Sequence, residues 1–191
     1  RAIRPDTMAN LSIEPNERVT FRILHEDSDL LVVGKPPKLV TQPGVGHEHD
    51  TLLNGLFARY GERLQNLGAS RDFGLVHRLD RETSGVLAVA LTADAYDGMR
   101  NLFAERGVRK FYWAICQKAP REHTGVIKRP ILEFERRKGR YTSEKLARLD
   151  PGGKPAITAY RVLNESPLAA LIEARPVTGR LHQIRVHLDS I

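Results

Sequence analysis

The sequence predicts a domain that mixes α and β structure, in either the α/β or the α+β class. Segments with strand-like apolar patterns alternate along the chain with segments whose apolar residues recur at helical spacing. No internal repeat and no low-complexity tract interrupts them. The 191 residues, of which 41% are hydrophobic, are enough to bury a core and to form one domain, or one domain with an appendage.

The chain begins with two predicted strands and a helix. "TFRIL" and "LLVVGKP" have strand character, and the segment "HEDSD" between them favours a turn. Pro36 ends the second strand because proline cannot donate to a sheet. Apolar residues at helical spacing then predict a helix over residues 51–67, with Asp50 as the N-cap and Gly68 as the stop.

A third strand and a second helix follow. The continuous apolar run "SGVLAVAL" predicts a central strand that is covered on both faces. "TADAYDGMRNLFAERG" predicts a helix that begins after Thr92 and ends at Gly107. Helical spacing places Tyr96, Met99 and Phe103 on one face of this helix, which we expect to be the buried face.

The second half of the chain is predicted to contain three further strands and a last helix. The strands are "KFYWAI", "AITAYRVL" and "LAALIEA". In "GRLHQIRVHLDSI", helical spacing puts Leu181, Ile184, Leu188 and Ile191 on one stripe. The segment stops on an apolar residue without a cap, so we expect the sequence to be part of a longer polypeptide.

The overall charge favours a polyanionic partner. The chain has 30 Lys and Arg residues against 23 Asp and Glu, which gives a net charge of +7. No apolar stretch approaches the roughly 18 residues of a membrane span, and the N-terminus lacks the apolar core of a signal peptide. We therefore expect a cytosolic protein. The single Cys116 cannot form an intramolecular disulfide, and its apolar surroundings predict a buried, inert thiol.

Positive charge is concentrated between Arg121 and Arg148. This segment has nine Lys and Arg residues against four Glu. Such a basic arm suits phosphate contacts, which supply much of the affinity for nucleic acid. The other interpretation is a solvated hairpin whose charges keep an exposed sheet edge from aggregating. The segment alone does not decide between the two.

The segment "HRLDRETSG" places Asp80 between Arg78 and Arg81. Nearby positive charge keeps a partly buried carboxylate ionised, so Asp80 could act as a nucleophile or a base. The Thr-Ser-Gly turn that follows it leads into the apolar strand, which would make such a site rigid. From spacing alone, a surface salt bridge is the better explanation. Asp80 needs a second line of support.

That support is a resemblance to a known family. The elements "HEDSDLLVVGKPPKLVTQPG", "GLVHRLDRETSGVLAVALT", "RKFYWAI" and "PVTGRLHQIRVHL" together closely resemble RluA-type pseudouridine synthases, which isomerise selected uridines in structured RNA. The resemblance extends from about Phe21 to the end of the chain. It implies an α+β catalytic fold with a mixed, mainly antiparallel central sheet and flanking helices.

The resemblance also implies a domain organisation. Residues 19–191 would form the catalytic domain, without the C-terminal strands and the glycine-aspartate element that relatives carry. Residues 1–18 would be an N-terminal extension or a linker, and a linker here would follow a small RNA-binding domain that many relatives carry before the catalytic domain. Gln42 stands where the family often has a histidine, a change that we expect to be harmless. Lys35 and Pro36 belong to the family pattern and are expected to shape the pocket wall.

The family's functional residues map onto this chain through its motifs. Asp80 would be the catalytic carboxylate, and Arg78 would help to displace the target base from its stack. Tyr112 would lie against the flipped uracil, as a possible base for the proton on carbon 5. Arg185 would pair with Asp80 and orient it, and Arg180 would contact RNA phosphate or a loop. The residues expected to contact RNA are Arg78, Arg81, Arg180, Arg136, Arg137 and Lys138.

Plainer interpretations remain for several of these residues. Alternation in "KFYWAI" puts Tyr112 on the face opposite Phe111 and Trp113, as in a core tyrosine. Arg185 and Asp189 are four residues apart and could pair with each other on a helix. The histidines lack metal-ligand spacing, so we expect structural or solvent-facing roles for them: His77, His182 and His187.

The sequence therefore predicts an RNA pseudouridine synthase, a monomer that acts on large-subunit ribosomal RNA or, as a second choice, on transfer RNA. An isomerisation requires no metal and no redox cofactor. Two alternatives stay open: a non-catalytic RNA-binding or ribosome-assembly module with the same fold, and a hydrolase that uses Asp80 and His77. A hydrolase would release a cleaved product, whereas isomerisation leaves the mass of the RNA unchanged.

Overall fold

The computed structural model describes residues 11–137, 139 and 143–191. The chain divides into two compact units, the first ending at Glu105 and the second beginning at Arg106. The single catalytic domain predicted over residues 19–191 stays a prediction, as does the linker over residues 1–18, of which residues 1–10 lie outside the described part. Residues 12–16 belong to the first unit and are held against its first helix, Leu52–Leu67, since Ser12 N donates to Gln65 Oε1 at 2.8 Å and Asn16 N donates to Asn54 O at 3.0 Å.

The first unit contains a three-stranded antiparallel sheet. Its elements are the strands β1 (Arg22–Glu26), β2 (Leu30–Lys35) and β3 (Gly85–Ala90), the helices α1 (Leu52–Leu67) and α2 (Ala93–Ala104), and a 3₁₀ helix at Ala69–Gly74. The strand order is β1-β2-β3, so β2 is central and the predicted central position of β3 is wrong. Leu31 and Val33 of β2 face Val89 and Leu87 of β3, and all four are fully buried.

The opposite face of β3 packs against α2. Ala88 and Ala90 contact the stripe of Tyr96, Met99 and Phe103 that helical spacing predicted. β3 is therefore covered on both faces over its second half, whereas Val86 near its start is 59% exposed.

The helix boundaries show which local signals the chain uses. Thr51, not Asp50, caps α1: Asn54 N donates to Thr51 Oγ1, and Thr51 N donates to the Asn54 side chain at 3.0 Å, which completes a reciprocal capping box. Gly68 ends the helix as predicted, with φ of 69°. Thr92 caps α2 as predicted, but α2 ends at Ala104, before Gly107.

The second unit contains a four-stranded sheet and a separate hairpin. Its elements are β4 (Tyr112–Cys116), β5 (Thr124–Lys128), β6 (Ile131–Arg137), β7 (Ser143–Leu149), β8 (Ile157–Glu165), β9 (Ala170–Pro176) and α3 (Gln183–Leu188). The sheet has the order β4-β9-β8-β5, and β6 pairs with β7. Every strand pair within the described residues is antiparallel, which agrees with the predicted α+β class and mainly antiparallel sheet.

The core of the second unit lies between the sheet and α3. Ile127, Ile172 and Leu188 are buried there, with Ile184 and the half-buried Cys116 packed against them. Burial raises the pKa of the Cys116 thiol, as expected of an inert cysteine.

The last helix is shorter than its apolar stripe. α3 covers six residues, so Leu181 lies before the helix and Ile191 lies after it, 48% exposed. Ile184 and Leu188 are the members of the predicted stripe that pack into the core.

Candidate active site

The loop that carries Asp80 is fixed through its backbone carbonyls. The buried Thr41 Oγ1 donates to Leu79 O at 2.8 Å. Thr83 N donates to Asp80 O at 3.0 Å. Lys35 Nζ donates to Arg81 O at 3.2 Å. Three consecutive carbonyls are thus bonded, which holds the half-buried Asp80 in one backbone conformation.

Lys35 anchors this loop from the end of β2. Its side chain is 2% exposed, and its ammonium also donates to Pro36 O at 3.0 Å and to Leu39 O at 2.7 Å. Burial lowers the pKa of Lys35, while the carboxylates of Asp80 and Glu82 act in the opposite direction. The ammonium therefore fixes the loop and places positive charge close to Asp80.

The anchoring role of Lys35 goes beyond the pocket-wall role that the sequence predicted. The alternation of β2 in the sequence already indicates that Lys35 is buried, because Leu31, Val33 and Lys35 share the buried face of the strand. A lysine on a buried face must satisfy three N–H donors, and the ends of nearby loops supply the acceptors.

The two arginines beside Asp80 are exposed. Arg81 Nε lies 3.5 Å from Glu82 Oε1, so an exposed neighbouring carboxylate partly neutralises this guanidinium.

His77 has a structural role in the first unit. Its Nε2 accepts a hydrogen bond from Ala88 N at 3.1 Å, and its ring stacks on Phe103 at 5.0 Å between centroids. Because Nε2 is occupied by a backbone amide, it is not available as a general base. This position confirms the structural role expected of His77. The hydrolase alternative, which rests on the proximity of Asp80 and His77 in the sequence, stays untested.

Tyr112 is the first residue of β4 in the second unit. It pairs with Ala174 of β9 and is half-buried, whereas Phe111 and Trp113 are 53% and 75% exposed. The strand alternation predicted from the sequence is confirmed. The phenol thus lies on the more buried face of the sheet, where it can meet a ligand without being part of a closed core.

The segment that follows β9 carries Arg180 and Arg185. Arg180 Nε donates to Pro155 O at 3.1 Å, which holds the first guanidinium against the second unit. Arg185 is exposed on α3. Among the ion pairs of the described residues, none joins Arg185 to Asp189; instead Asp189 N donates to Arg185 O at 3.0 Å. The alternative interpretation, in which Arg185 forms an ion pair with Asp189, is therefore wrong.

A half-buried lysine connects the start of β4 to the same segment. Lys110 Nζ donates to Thr178 O at 3.2 Å, and burial lowers the pKa of this ammonium. Lys110 lies two residues before Tyr112, so the turn before Arg180 and the strand that holds Tyr112 are joined directly. The sequence reasoning missed this contact because no local pattern connects residues 110 and 178.

The basic segment forms a hairpin from β6 and β7. Arg136 Nη2 lies 3.2 Å from Glu144 Oε2, and Arg148 lies over the ring of Phe134 at 5.5 Å. Arg137 is exposed, and Lys138 lies outside the described residues. Leu181 N donates to Glu133 Oε1 at 3.2 Å, which ties the hairpin to the segment that carries Arg185.

Across residues 11–137, 139 and 143–191, no group of three or more His, Cys, Asp or Glu side chains is arranged to hold a metal ion. Within those same ranges, no helix has the length and the apolar composition needed to cross a membrane.

The sequence matches the family described as RNA pseudouridylate synthase over residues 29–190. The chain belongs to this family, and the resemblance to the RluA type found in its motifs is confirmed.

Particular relatives agree with this assignment. The chain is 37% identical over 179 residues to ribosomal large subunit pseudouridine synthase D of Zymomonas mobilis, covering 93% of this chain and 54% of the relative. It is 35% identical over 196 residues to a mitochondrial pseudouridylate synthase of Rattus norvegicus, covering 92% and 50%. The chain spans about half the length of the curated relatives it matches.

Solved structures show the same fold. Human RNA Pseudouridylate Synthase Domain Containing 4 superposes with a TM-score of 0.64 at 32% identity, covering 88% of this chain and 64% of that one. Human RNA Pseudouridylate Synthase Domain Containing 1 gives 0.67 at 27% identity, covering 93% and 68%.

Proposed function

We propose that the protein is an RNA pseudouridine synthase that isomerises specific uridines, with Asp80 as the essential carboxylate. The observation that carries the proposal is the fixed Asp80 loop in a chain of the RNA pseudouridylate synthase family, with the carbonyls of residues 79, 80 and 81 all bonded. A reacting group held in this way keeps its geometry through the reaction.

The reaction breaks the glycosidic bond, turns the uracil and rejoins it to the ribose through carbon 5. The Asp80 carboxylate either attacks the anomeric carbon or removes the neighbouring ribose proton, and both routes remain open. In each route the uracil departs with negative charge, which a fixed cation stabilises. No atom is gained or lost, so the chemistry requires no metal and no redox cofactor.

Three further residues complete the proposed site. Arg78 helps to displace the target base, which costs a few kcal/mol of unstacking. Its exposed guanidinium supports this role. Tyr112 lies against the displaced uracil and is a candidate base for the proton on carbon 5, and its half-buried ring on β4 is compatible with stacking. Arg185 orients the catalytic carboxylate, the role that the family motif implies.

We propose large-subunit ribosomal RNA as the substrate and transfer RNA as the alternative. The support is that several relatives at 32–38% identity carry the name ribosomal large subunit pseudouridine synthase. The hairpin cations Arg136, Arg137 and Lys138, with Arg81 and Arg180, would contact RNA phosphates. The monomeric state and cytosolic location expected from the sequence stay predictions.

The test is release of tritium from ribosomal RNA transcripts labelled at carbon 5 of uracil. The chain should release tritium, and Asp80→Asn should abolish release while leaving RNA affinity and thermal unfolding nearly unchanged. Glu82→Gln is the matched control, because it removes one negative charge from an exposed neighbour in the same loop. A transfer RNA transcript labelled in the same way decides between the two substrates.

The outcomes separate the candidate functions. Release that persists in Asp80→Asn contradicts the assignment of the catalytic residue. Bound RNA with no release from any transcript favours the non-catalytic RNA-binding module.

A further inference from the structure

Four buried polar side chains form a continuous chain of hydrogen bonds beneath α3. They are Thr178, Gln183, Thr158 and His187, which are 8%, 4%, 0% and 0% exposed. Three of them lie in the element "TGRLHQIRVH", and Thr158 lies on β8. Burying this many polar groups is costly unless every donor and acceptor has a partner.

Gln183 is the centre of the chain. Its Oε1 accepts from Thr178 Oγ1 at 2.7 Å and from Arg180 N at 3.0 Å. Its Nε2 donates to Ile157 O at 3.0 Å and to Thr158 Oγ1 at 2.9 Å. Both donors and both acceptor positions of the amide are thus used, which admits one orientation of this side chain.

His187 ends the chain. Its Nε2 lies 2.9 Å from Arg129 O, and its Nδ1 lies 2.9 Å from Thr158 Oγ1. A carbonyl can only accept, so Nε2 carries the hydrogen. Thr158 Oγ1 accepts from Gln183 Nε2 and still has its own hydrogen, which it can donate to Nδ1. This arrangement fits a neutral imidazole, and burial, helped by the charge of Arg129, lowers the pKa of His187 and so favours the neutral form.

The geometry of α3 relates this chain to Arg185. Gln183 and His187 lie two residues before and two residues after Arg185, about 200° away around a helix. The buried pair is therefore on the face opposite the exposed arginine. α3 has only six residues, so it is too short to be stable alone. Its N-cap residue, His182, has a φ of 52° and makes no side-chain capping hydrogen bond.

We propose that Gln183 and His187 are positioning residues that set the orientation of α3 and thereby the direction in which Arg185 points. Apolar side chains could bury α3 equally well, but only directional hydrogen bonds fix its rotation. The same Gln183 oxygen binds Arg180 N, so both arginines of the segment depend on one amide. This inference rests on the proposed function, in which Arg185 acts on the catalytic carboxylate.

A double-mutant cycle tests the proposal in the full chain, with tritium release as the activity. Gln183→Met should lower kcat roughly tenfold and should change KM less, because every side chain proposed to contact RNA is retained. In an Arg185→Lys background, the same change should cost almost nothing further, since the group being positioned is already altered. If the loss of kcat in the double variant equals the product of the two single-variant losses, the proposal is overturned.

Matched variants separate positioning from stability. Ile127→Ala destabilises the core beneath α3 without removing a hydrogen bond, and it should retain kcat at a temperature where the chain is folded. His187→Gln keeps an N–H for Arg129 O and should retain more activity than His187→Phe. Equal losses for His187→Gln, His187→Phe and Ile127→Ala would contradict a positioning role.

Amide hydrogen exchange gives a result that does not depend on activity. Val186 N donates to His182 O and Asp189 N donates to Arg185 O, both at 3.0 Å. Gln183→Met should speed exchange at these two amides more than at β8 and β9. If the unmodified chain releases no tritium, the proposed function fails, and this measurement alone decides the positioning proposal. Unchanged exchange at both amides would overturn it.

Discussion

The Asp80 loop and the Arg185 segment are held in place by different physical means. In the first unit, a buried ammonium, Lys35 Nζ, donates to three backbone carbonyls. In the second unit, the neutral amide of Gln183 and the neutral imidazole of His187 do the equivalent work. Charge-assisted hydrogen bonds are stronger individually, whereas the neutral chain depends on every partner being in the correct protonation state.

The difference in charge between the Lys35 anchor and the neutral Gln183 and His187 anchors has a functional consequence. A cation beside Asp80 adds positive charge to the region where the proposed reaction develops negative charge. A neutral chain beneath α3 fixes Arg185 without a second charge that would compete for the same partners. The two regions should therefore respond differently to mutation and to pH.

Removing the Lys35 ammonium beneath the Asp80 loop should have the largest effect on stability. Lys35→Met leaves three carbonyls without their donor and should lower the free energy of unfolding by roughly 2–4 kcal/mol. Urea unfolding measures this change. Lys118→Met, at an exposed lysine, is the control and should be nearly neutral. A Lys35→Met chain as stable as the control would show that the loop does not depend on this anchor.

Reversing charge on the hairpin of β6 and β7 tests whether this part of the second unit binds RNA. Arg136→Glu, Arg137→Glu and Lys138→Glu together should weaken binding and reduce the slope of log affinity against log salt by about 2. The measurement is RNA binding at several salt concentrations. The control reverses Arg18, Arg22 and Arg106, which are exposed elsewhere in the chain. Equal losses in the two triple variants would return the hairpin to the role of a solvated edge.

Two buried threonines offer a matched pair of smaller changes. Thr41→Val removes one hydrogen bond, to Leu79 O, and should cost about 1 kcal/mol of stability. Thr178→Val removes the bond to Gln183 Oε1 and the acceptor for Ile157 N, and should cost more. Urea unfolding of both variants checks the order. The reverse order would mean that the chain beneath α3 is not a connected network.

Acidification should have the smallest effect of these changes, and it should lower the stability of the region beneath α3 through protonation of His187. The folded pKa of His187 lies below its ordinary 6.5, so the unfolded chain takes up the proton first as the pH falls. The contribution of His187 to stability is therefore complete above pH 6.5 and is lost as the pH falls from there through the lowered folded pKa. Unfolding at several pH values should show a steeper loss for the natural chain than for His187→Phe. Parallel profiles would contradict the neutral-imidazole assignment.

Local signals predicted most of the elements near the site. Alternation placed Tyr112 opposite Trp113, and helical spacing found the stripe of Tyr96, Met99 and Phe103. The errors were also local: Thr51 caps α1 in place of Asp50, because its hydroxyl and the Asn54 side chain complete a box. The short strands β5, β6 and β7 were seen only as one basic arm.

The contacts that fix the site could not be predicted in this way. Lys35 and Arg81 are 46 residues apart, and Thr41 and Leu79 are 38 apart. Such pairs depend on tertiary packing, which periodicity does not encode. The role of Asp80 came from the family motif, since its spacing alone favoured a surface salt bridge.

Nucleoside analysis of treated RNA tests the central claim most directly. Ribosomal RNA transcripts incubated with the chain would be digested and quantified by liquid chromatography and mass spectrometry, beside the Asp80→Asn variant. Pseudouridine should appear in an amount equal to the uridine lost, at unchanged RNA mass, and only with Asp80 intact. Free uracil or shortened RNA would contradict it and indicate hydrolysis.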